Sequence, residues 1–369
     1  MAITNLAASQ DPFVNWKKDS IRVFREALFF KKMMGSDENN IVQYITELKK
    51  TDTGTRAMIG LIPDLKGNGV VGDNDLEGRE ESMDAFWQDI NVDLHRNGVV
   101  SKGKKNDRIA VFKVRSEARD RLMRWKANMV DELLILAASG ISFGLKTDGG
   151  IRGGTGDALT SLDFSADVMP PSSNRHFNYN GTNLVAGDTT QIAAGFLPKY
   201  GMVVDLMAEA RTRGIKPIQI GGQDHYVYLC HPKHFAQLKK DPDFRDAIIS
   251  AGLRGDSNAI YTGATVTMDG LIIHVNNKVF NTRNALAGAK WGAAQNVNGT
   301  RSLLMGAQAL AFADISENME WEEQPKDYNN RYGIAISNFY GILKPQFQSA
   351  YDNDTVQDFG VMAVNSYFA

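Results

Sequence analysis

Two histidines three residues apart, His231 and His234 with Pro232 between them, are the first pair in this sequence whose spacing suggests a metal. A metal site takes three or four convergent ligands. The other histidines, His95, His176, His225 and His274, supply no matching pair. The spacing therefore predicts a turn and a helix start, and no metal. His274 lies in the apolar run Leu271–Val275 and is expected to be a core histidine with satisfied hydrogen bonds. The glycine-rich run Gly149-Gly150-Ile151-Arg152-Gly153-Gly154-Thr155-Gly156 resembles a phosphate-cradling loop. It lacks the Lys-Ser/Thr ending of a P-loop, and no buried strand runs into it, so a linker is expected. Asp358-Phe359-Gly360 stands without any other kinase element and carries no weight. Carboxylates crowd residues 73–93, but a glycosidase pair needs a walled cleft, whereas these sit in a glycine-flanked polar excursion. No catalytic, cofactor-binding or metal residue is expected, and no cofactor.

The composition sets the frame for these residues. Hydrophobic residues make up 43% and charged residues 23%, which places the chain among globular proteins rather than disordered ones. No apolar run approaches the roughly 20 residues that cross a bilayer, so no membrane partner is expected. Met1 to Asp11 shows no basic region followed by an apolar one, and a secretory leader is not expected. The one cysteine, Cys230, sits in the apolar run Tyr226–Cys230 and is read as a small buried hydrophobe. A net charge of −2 argues against sequence-specific binding to DNA, which needs a strongly basic surface. It does not argue against a container that holds DNA.

Along the chain, residues 1–50 read as an arm and lead-in segment, with a candidate amphipathic helix over 13–34. Residues 51–100 read as a long hairpin-like excursion. A strand from Thr55 to Ile62 is followed by the bend Lys66–Asn74, and a period-two strand through Ile90, Val92 and Leu94 returns. The excursion has few apolar residues of its own, which suits a contact arm better than a compact monomer. The clearest element follows. Ala118, Leu122, Trp125, Met129, Leu133 and Leu136 step by three or four and predict one long helix over 116–139, about 36 Å long. Ser116 is its candidate N-cap and Gly140 its stop. Leu122, Trp125, Met129 and Leu133 are its expected core. Residues 147–194 read as an irregular connection. From 195 the pattern becomes α/β: a helix at Tyr200–Arg213, strands at Ile218–Ile220, Tyr226–Cys230 and Leu271–Val275, and a helix opened by Asp241-Pro242. Leu303–Ala313 is apolar, and Tyr332–Phe347 is strand-like with Ile334, Ile336 and Phe339 as inward candidates.

Charge is patterned locally. Residues 73–93 hold eight acids, including Glu77, Glu80, Glu81 and Asp84, against Arg79 alone. Residues 102–126 hold ten bases, including Arg115, Arg119 and Arg121, against three acids. Complementary fields of this kind set register between surfaces, so these seven residues are the expected contacts between subunits.

The order of these elements resembles the major capsid protein fold that tailed bacteriophages share with herpesviruses. Leu76-Glu77-Gly78-Arg79-Glu80-Glu81 after the glycine bend, Ser101-Lys102-Gly103-Lys104 before the helix, and Val130-Asp131-Glu132-Leu133-Leu134 at its end are similar to one divergent, podovirus-type family of phage capsid proteins. So are Arg301–Leu310, Tyr332–Ile336 and Tyr340–Lys344. The resemblance covers about residues 40–350. It implies an α+β fold with an N-terminal arm (1–50), an extended two-stranded E-loop (51–100), a P-domain with the spine helix (101–194), an α/β A-domain (195–335), and a return to the P-domain with a C-terminal tail (336–369). It also implies a structural subunit of an icosahedral shell, assembled in the bacterial cytoplasm as hexamers and pentamers. The implied partners are further copies of itself and scaffolding, portal and cement proteins, around double-stranded DNA. Two other readings remain open at this point: a cargo shell of the encapsulin type, and a nucleotide-binding α/β enzyme using the 149–156 glycines.

Overall fold

The computed structural model describes residues 28–46, 56–61, 68–80, 86–109, 114–153, 158–252, 265–268, 270–315 and 320–368. Residues 1–27 of the N-terminal arm lie outside them; the described end of the candidate helix over 13–34 is instead a short 3-10 turn at Phe29–Met33 that runs into a strand at Met34–Gly35. The elements run β1 (Met34–Gly35), β2 (Val42–Ile45), β3 (Arg56–Leu61), β4 (Phe86–Asn91), β5 (Asp93–Val100), α1 (Lys104–Ile109) and α2 (Val114–Ser139). Then come β6 (His176–Tyr179), β7 (Leu184–Val185), α3 (Tyr200–Thr212), β8 (Ile218–Ile220), β9 (Gln223–Cys230), α4 (Pro232–Lys240) and α5 (Pro242–Gly252). The chain ends with β10 (Thr265–Met268), β11 (Leu271–Val275), β12 (Gly299–Met305), β13 (Leu310–Asp314), β14 (Glu320–Lys326), β15 (Arg331–Leu343), β16 (Gln346–Ser349), β17 (Thr355–Asp358) and β18 (Val361–Tyr367).

The long helix α2 starts two residues before Ser116, which therefore lies inside the first turn and is not the N-cap. Gly140 ends it as the spacing predicts. Its φ of +62° suits glycine, its N–H bonds to Ala137 O, and the N–H of Ile141 reaches back to Leu136 O. That double closure satisfies the last carbonyls of the helix. The helix changes character along its length. From Val130 to Ser139 nearly every side chain is buried in the main core, whatever face it lies on. From Ala118 to Trp125 only one face is covered, where Ala118, Leu122 and Met123 meet Ile334 and Ile336 of β15. Leu122 and Leu133 are thus buried, whereas Trp125 and Met129 are half-buried, Trp125 at the rim of the contact with β15 and Met129 at the rim of the main core. Trp125→Ala is accordingly expected to cost about 2 kcal/mol, below the ~3–5 kcal/mol of a fully buried aromatic. Urea unfolding of the variant measures it, and a loss above about 4 kcal/mol would mean the ring is a full core residue.

Two sheets share this core. The first has six strands, in the order β1-β2-β13-β15-β14, with β5 on the opposite edge of β15. The second has eight, in the order β10-β11-β9-β12-β18-β6-β7, with β8 on β9. The apolar run Leu303–Ala313 is not one element. It is two strands, β12 in the eight-stranded sheet and β13 in the six-stranded one, joined at Gly306–Ala309. A Cβ at Gly306 would collide with the backbone oxygen of Lys216, so only glycine passes there. Sequence boundaries at 194, 195, 335 and 336 cut across this arrangement. β6, from the span 101–194, pairs with β18, from the span 336–369, and both lie within the eight-stranded sheet. β13, β14 and the start of β15, from the span 195–335, lie in the six-stranded one. Chain continuity and sheet membership differ because the strands are paired across more than 180 residues, and local pattern does not report such pairing. Phe339 faces outward at 39% exposure, because it alternates with Asn338 and Tyr340, which point into the α2 side.

Candidate functional site

The excursion predicted over 51–100 is shorter than its sequence suggests. β5 leaves it to pair with β15 over eight residues, from Asp93↔Tyr340 to Val100↔Gly333. What remains is a hairpin, β3 against β4, with Arg56↔Asn91 and Leu61↔Phe86 as its end pairs. The hairpin is well seated, contrary to the expectation of little core. Ala57, Ile59, Leu61 and Ile90 are buried against Ile45, Val92, Ala311, Ala313 and Leu343. Asn91 is held twice by Asp167, through its backbone N–H at 3.1 Å and its side-chain amide at 2.9 Å. Gln88 accepts a hydrogen bond from the Gln346 N–H at 2.9 Å.

The outer face of the same hairpin is exposed and mixed: Arg56 pairs with Asp89 at 3.6 Å on it, beside two large apolar side chains. Met58 is 58% exposed and Trp87 67%. Trp87 lies opposite Gly60, where a Cβ would stand 2.8 Å from its ring. Beyond the hairpin, residues 68–80 form a glycine-turned loop. Gly69, Gly72 and Gly78 take φ values of +66°, +71° and +82°. Asp73, Asp75, Glu77 and Glu80 are all exposed, with Glu80 accepting the Gly78 N–H at 2.7 Å. Val71 and Leu76 are exposed beside them. Glu81 and Asp84 lie outside the described residues.

The basic counterpart is the half-covered end of α2. Arg119 Nε pairs with Asp120 at 2.8 Å, and Arg121 Nε with Glu117 at 2.7 Å. Arg121 and Arg124 are exposed, and Arg119 is partly buried. Arg115 lies in the first turn, with its side chain outside the described set. Of the seven charged residues chosen by sequence, Glu77 and Glu80 lie on the loop and Arg119 and Arg121 on the helix, where both arginines already carry partners on their own helix. Sequence reasoning missed Trp87 and Met58, although an exposed face can be read from the alternation Arg56, Met58, Gly60 against Ala57, Ile59, Leu61. It also missed Lys126, which was counted with the basic run but is fully buried. Its position four after Leu122 and four before Val130 would have revealed that.

The residues that could do chemistry are engaged in structure. His234 is buried, with Nε2 at 2.9 Å from Tyr228 Oη and Nδ1 at 3.0 Å from Ser366 Oγ. Burial lowers its pKa to about 3. His231 Nδ1 accepts the Lys233 N–H and so caps α4. Among the described residues, no three His, Cys, Asp or Glu side chains gather as a metal site would require. In the glycine run, the Gly150 N–H donates to Asp148 Oδ1 at 3.0 Å and the Gly149 N–H to Lys146 O. A phosphate cradle needs those N–H groups free. Residues 154–157 lie outside the described set. Burial pushes the Cys230 thiol far up, away from the reactive thiolate. Sequence reasoning also missed a Gly-x-Ser-x-Gly spacing at Gly140–Gly144. The nucleophile elbow it matches lies between a strand and a helix, whereas this one follows the end of α2.

Comparison with known proteins places the whole chain. Residues 8–369 match the family described as phage capsid protein. The chain is 41% identical over 358 residues to the major capsid protein of Pseudomonas phage KPP25, covering 96% of this chain and 94% of that one. Its fold is similar to the capsid of Ralstonia phage GP4, with a TM-score of 0.76 at 22% identity over 93% and 91% of the two chains. It is also similar to the Cyanophage Pam1 capsid, with a TM-score of 0.68 at 19% identity over the whole of both. The near-complete match favours the capsid reading over a cargo shell or a nucleotide enzyme. The chain belongs to the phage capsid protein family, and its role is that of a structural subunit of the shell.

Proposed function

We propose that this chain is the repeating subunit of an icosahedral head, built as hexamers and pentamers around double-stranded DNA and assembled in the bacterial cytoplasm with scaffolding, portal and cement proteins. The residues 68–80 and the outer face of β3–β4 serve as an arm that lies on a neighbouring copy, against the basic end of its α2. No turnover and no cofactor belong to this function. The observation that carries it is the contrast within one hairpin: a face sealed into its own subunit, and an opposite face that exposes Trp87 and Met58. Met58 and Trp87 are diagonal neighbours on that face, and contiguous exposed apolar surface marks a contact site. Tryptophan is the residue type that most often dominates one.

The charges and the aromatic have separable tasks. Exposed ion pairs contribute about 0–1 kcal/mol each and weaken with salt. They steer and set register, and repetition around a closed symmetric shell multiplies them. A buried aromatic anchor contributes about 2 kcal/mol or more at each contact. Reversing Glu80 and Glu81 to Lys is expected to abolish particles in negative-stain images while leaving the circular dichroism of the subunit unchanged. Reversal of Arg119 or Arg121 to Glu restores part of the assembly. Trp87→Ala is expected to raise the protein concentration needed for assembly at every salt concentration. Normal particles from the reversed protein at low salt would refute the charge pairing. Cross-links joining 73–80 to 115–124 within single chains only would refute its placement between copies.

A further inference from the structure

Lys126 has an unusual position. It sits at the border between the two halves of α2, where the one-sided packing of Ala118–Met123 gives way to the main core. Its side chain is fully buried, yet its Nζ has no hydrogen-bond partner. It rests instead 3.7 Å above the centre of the Tyr340 ring. The polar and charged groups on the elements around it bond to other partners, and Asp314 offsets part of its charge without a hydrogen bond to Nζ. On β15, Tyr340 Oη is 2.8 Å from His95 Nδ1 of β5. Also on β5, Asp93 accepts the N–H groups of Leu94 and Asp163 through its two oxygens. On β13, Asp314 accepts the hydroxyl of Tyr44, which belongs to β2. On β14, Glu323 accepts the indole N–H of Trp321. The turn at Asp163–Asp167 presents the apolar ring of Phe164 to Tyr340. A buried ammonium without a hydrogen-bonded counter-charge is costly.

We propose that Lys126 is a proton-operated latch: its neutral amine lets the N-terminal half of α2 lie closed on the six-stranded sheet, and its protonation favours release of that half. The released half carries Arg119, Arg121 and Arg124, so the latch sets how rigidly a subunit presents its basic surface. It acts within one subunit and does not depend on how subunits pair.

Burial is the main cause that pulls the Lys126 amine down to about 7, with Asp314 opposing it. Once the helix is released, the amine regains its ordinary value near 10.5. The open form therefore binds the extra proton between these two values, and closing weakens as pH falls through that window. Below about 7 both forms are protonated and the dependence stops. His95, lowered by burial to about 4, operates in a lower window.

Hydrogen exchange of the α2 amides 114–126 in the full-length chain, corrected for intrinsic rates, reads the opening directly. The opening constant is expected to rise about tenfold per pH unit from pH 9 to pH 7 and to level off below. Lys126→Met is expected to be flat across the range and closed. Lys126→Arg, charged at every pH, is expected to be flat and open. His95→Asn is expected to keep the wild-type slope. An equal slope in Lys126→Met, or a wild-type protein without any slope, would overturn the latch.

Discussion

Gly341→Ala is expected to destabilise the subunit by about 3 kcal/mol and to unseat the hairpin that carries the assembly arm. Gly341 lies where β15 passes directly over the end of β4. A Cβ there would be driven into the backbone oxygen of Asn91, and it would stand 2.9 Å from Ile90 Cγ2. The far end of a flexible side chain could move aside, but a backbone carbonyl cannot when its residue is fixed. Asn91 is fixed by its two bonds to Asp167, and Ile90 is fully buried in the same cluster. The strain therefore cannot relax locally and must lift β4 from the sheet. Gly201 of α3 provides the control, because a Cβ built there meets nothing within 4 Å. Gly201→Ala is expected to be neutral or to stabilise by up to about 1 kcal/mol, since alanine loses less backbone entropy in a helix. Urea midpoints of the two variants separate the explanations. Equal midpoints would mean that the hairpin tolerates a gap at its base. A Gly341→Ala loss should also abolish particle formation, because the arm is displaced with its seat.

The legible parts of this molecule are those where one local signal suffices. The stepping of Ala118, Leu122 and Leu133 gives α2, and Gly140 ends it, because a helix needs only its own stripe and its own stop. The Asp241-Pro242 start of α5 and the strand Leu271–Val275 are legible for the same reason. What escapes depends on distant partners. β18 reads as part of a tail, yet it stands between β12 and β6, paired with residues more than 50 and more than 180 positions away. Leu303–Ala313 reads as one stretch because its turn at Gly306–Ala309 is buried and its one polar residue, Gln308, is satisfied internally by Gln43 rather than by solvent. Charge misleads in another way. Lys126 reads as part of the exposed basic run, yet it is buried, as are Arg175, Arg301 and Lys344. Arg301 donates to the Ser139 carbonyl at the C-terminal end of α2 and to Asn365 at 2.9 Å. It thereby places a cation at the negative end of the helix dipole. A basic residue inside an apolar run, as in Arg301-Ser302-Leu303-Leu304, is the available signal that such a charge has an internal task.

Lys344 has the clearest internal task, and removing its charge is expected to have the largest effect of any single substitution outside the close-packed glycines. Its Nζ lies 2.8 Å from Asp358 Oδ2, and both side chains are almost completely buried. Asp358 also accepts from Gln346 Nε2 at 2.9 Å and from the Ser172 N–H at 3.2 Å, while Lys344 donates to Pro170 O at 3.3 Å. The pair ties the segment 170–175 to the end of β15 and to β17. Lys344→Met leaves a buried carboxylate without its counter-charge and is expected to cost about 3–5 kcal/mol. Asp358→Asn leaves a buried amine instead. Burial already lowers the Lys344 amine, and Asp358 opposes that shift. Without Asp358 the amine falls further, so the folded protein gives up its proton over a wider window below 10.5. The unfolded chain keeps the proton there, and stability rises with pH wherever the unfolded state binds more protons. The deficit of Asp358→Asn is therefore expected to shrink from neutral pH toward pH 10. The double variant Lys344→Met with Asp358→Leu removes both charges, and apolar replacement of a buried pair is often neutral. Gln346 and Ser172 lose an acceptor in it, which costs about 1–3 kcal/mol. The double variant should thus be no worse than Lys344→Met alone, with a coupling energy of about 2 kcal/mol or more across the cycle. Additive losses in the double variant would show that the two side chains act separately, and that the clasp is held by Gln346 and Ser172 rather than by the charge pair.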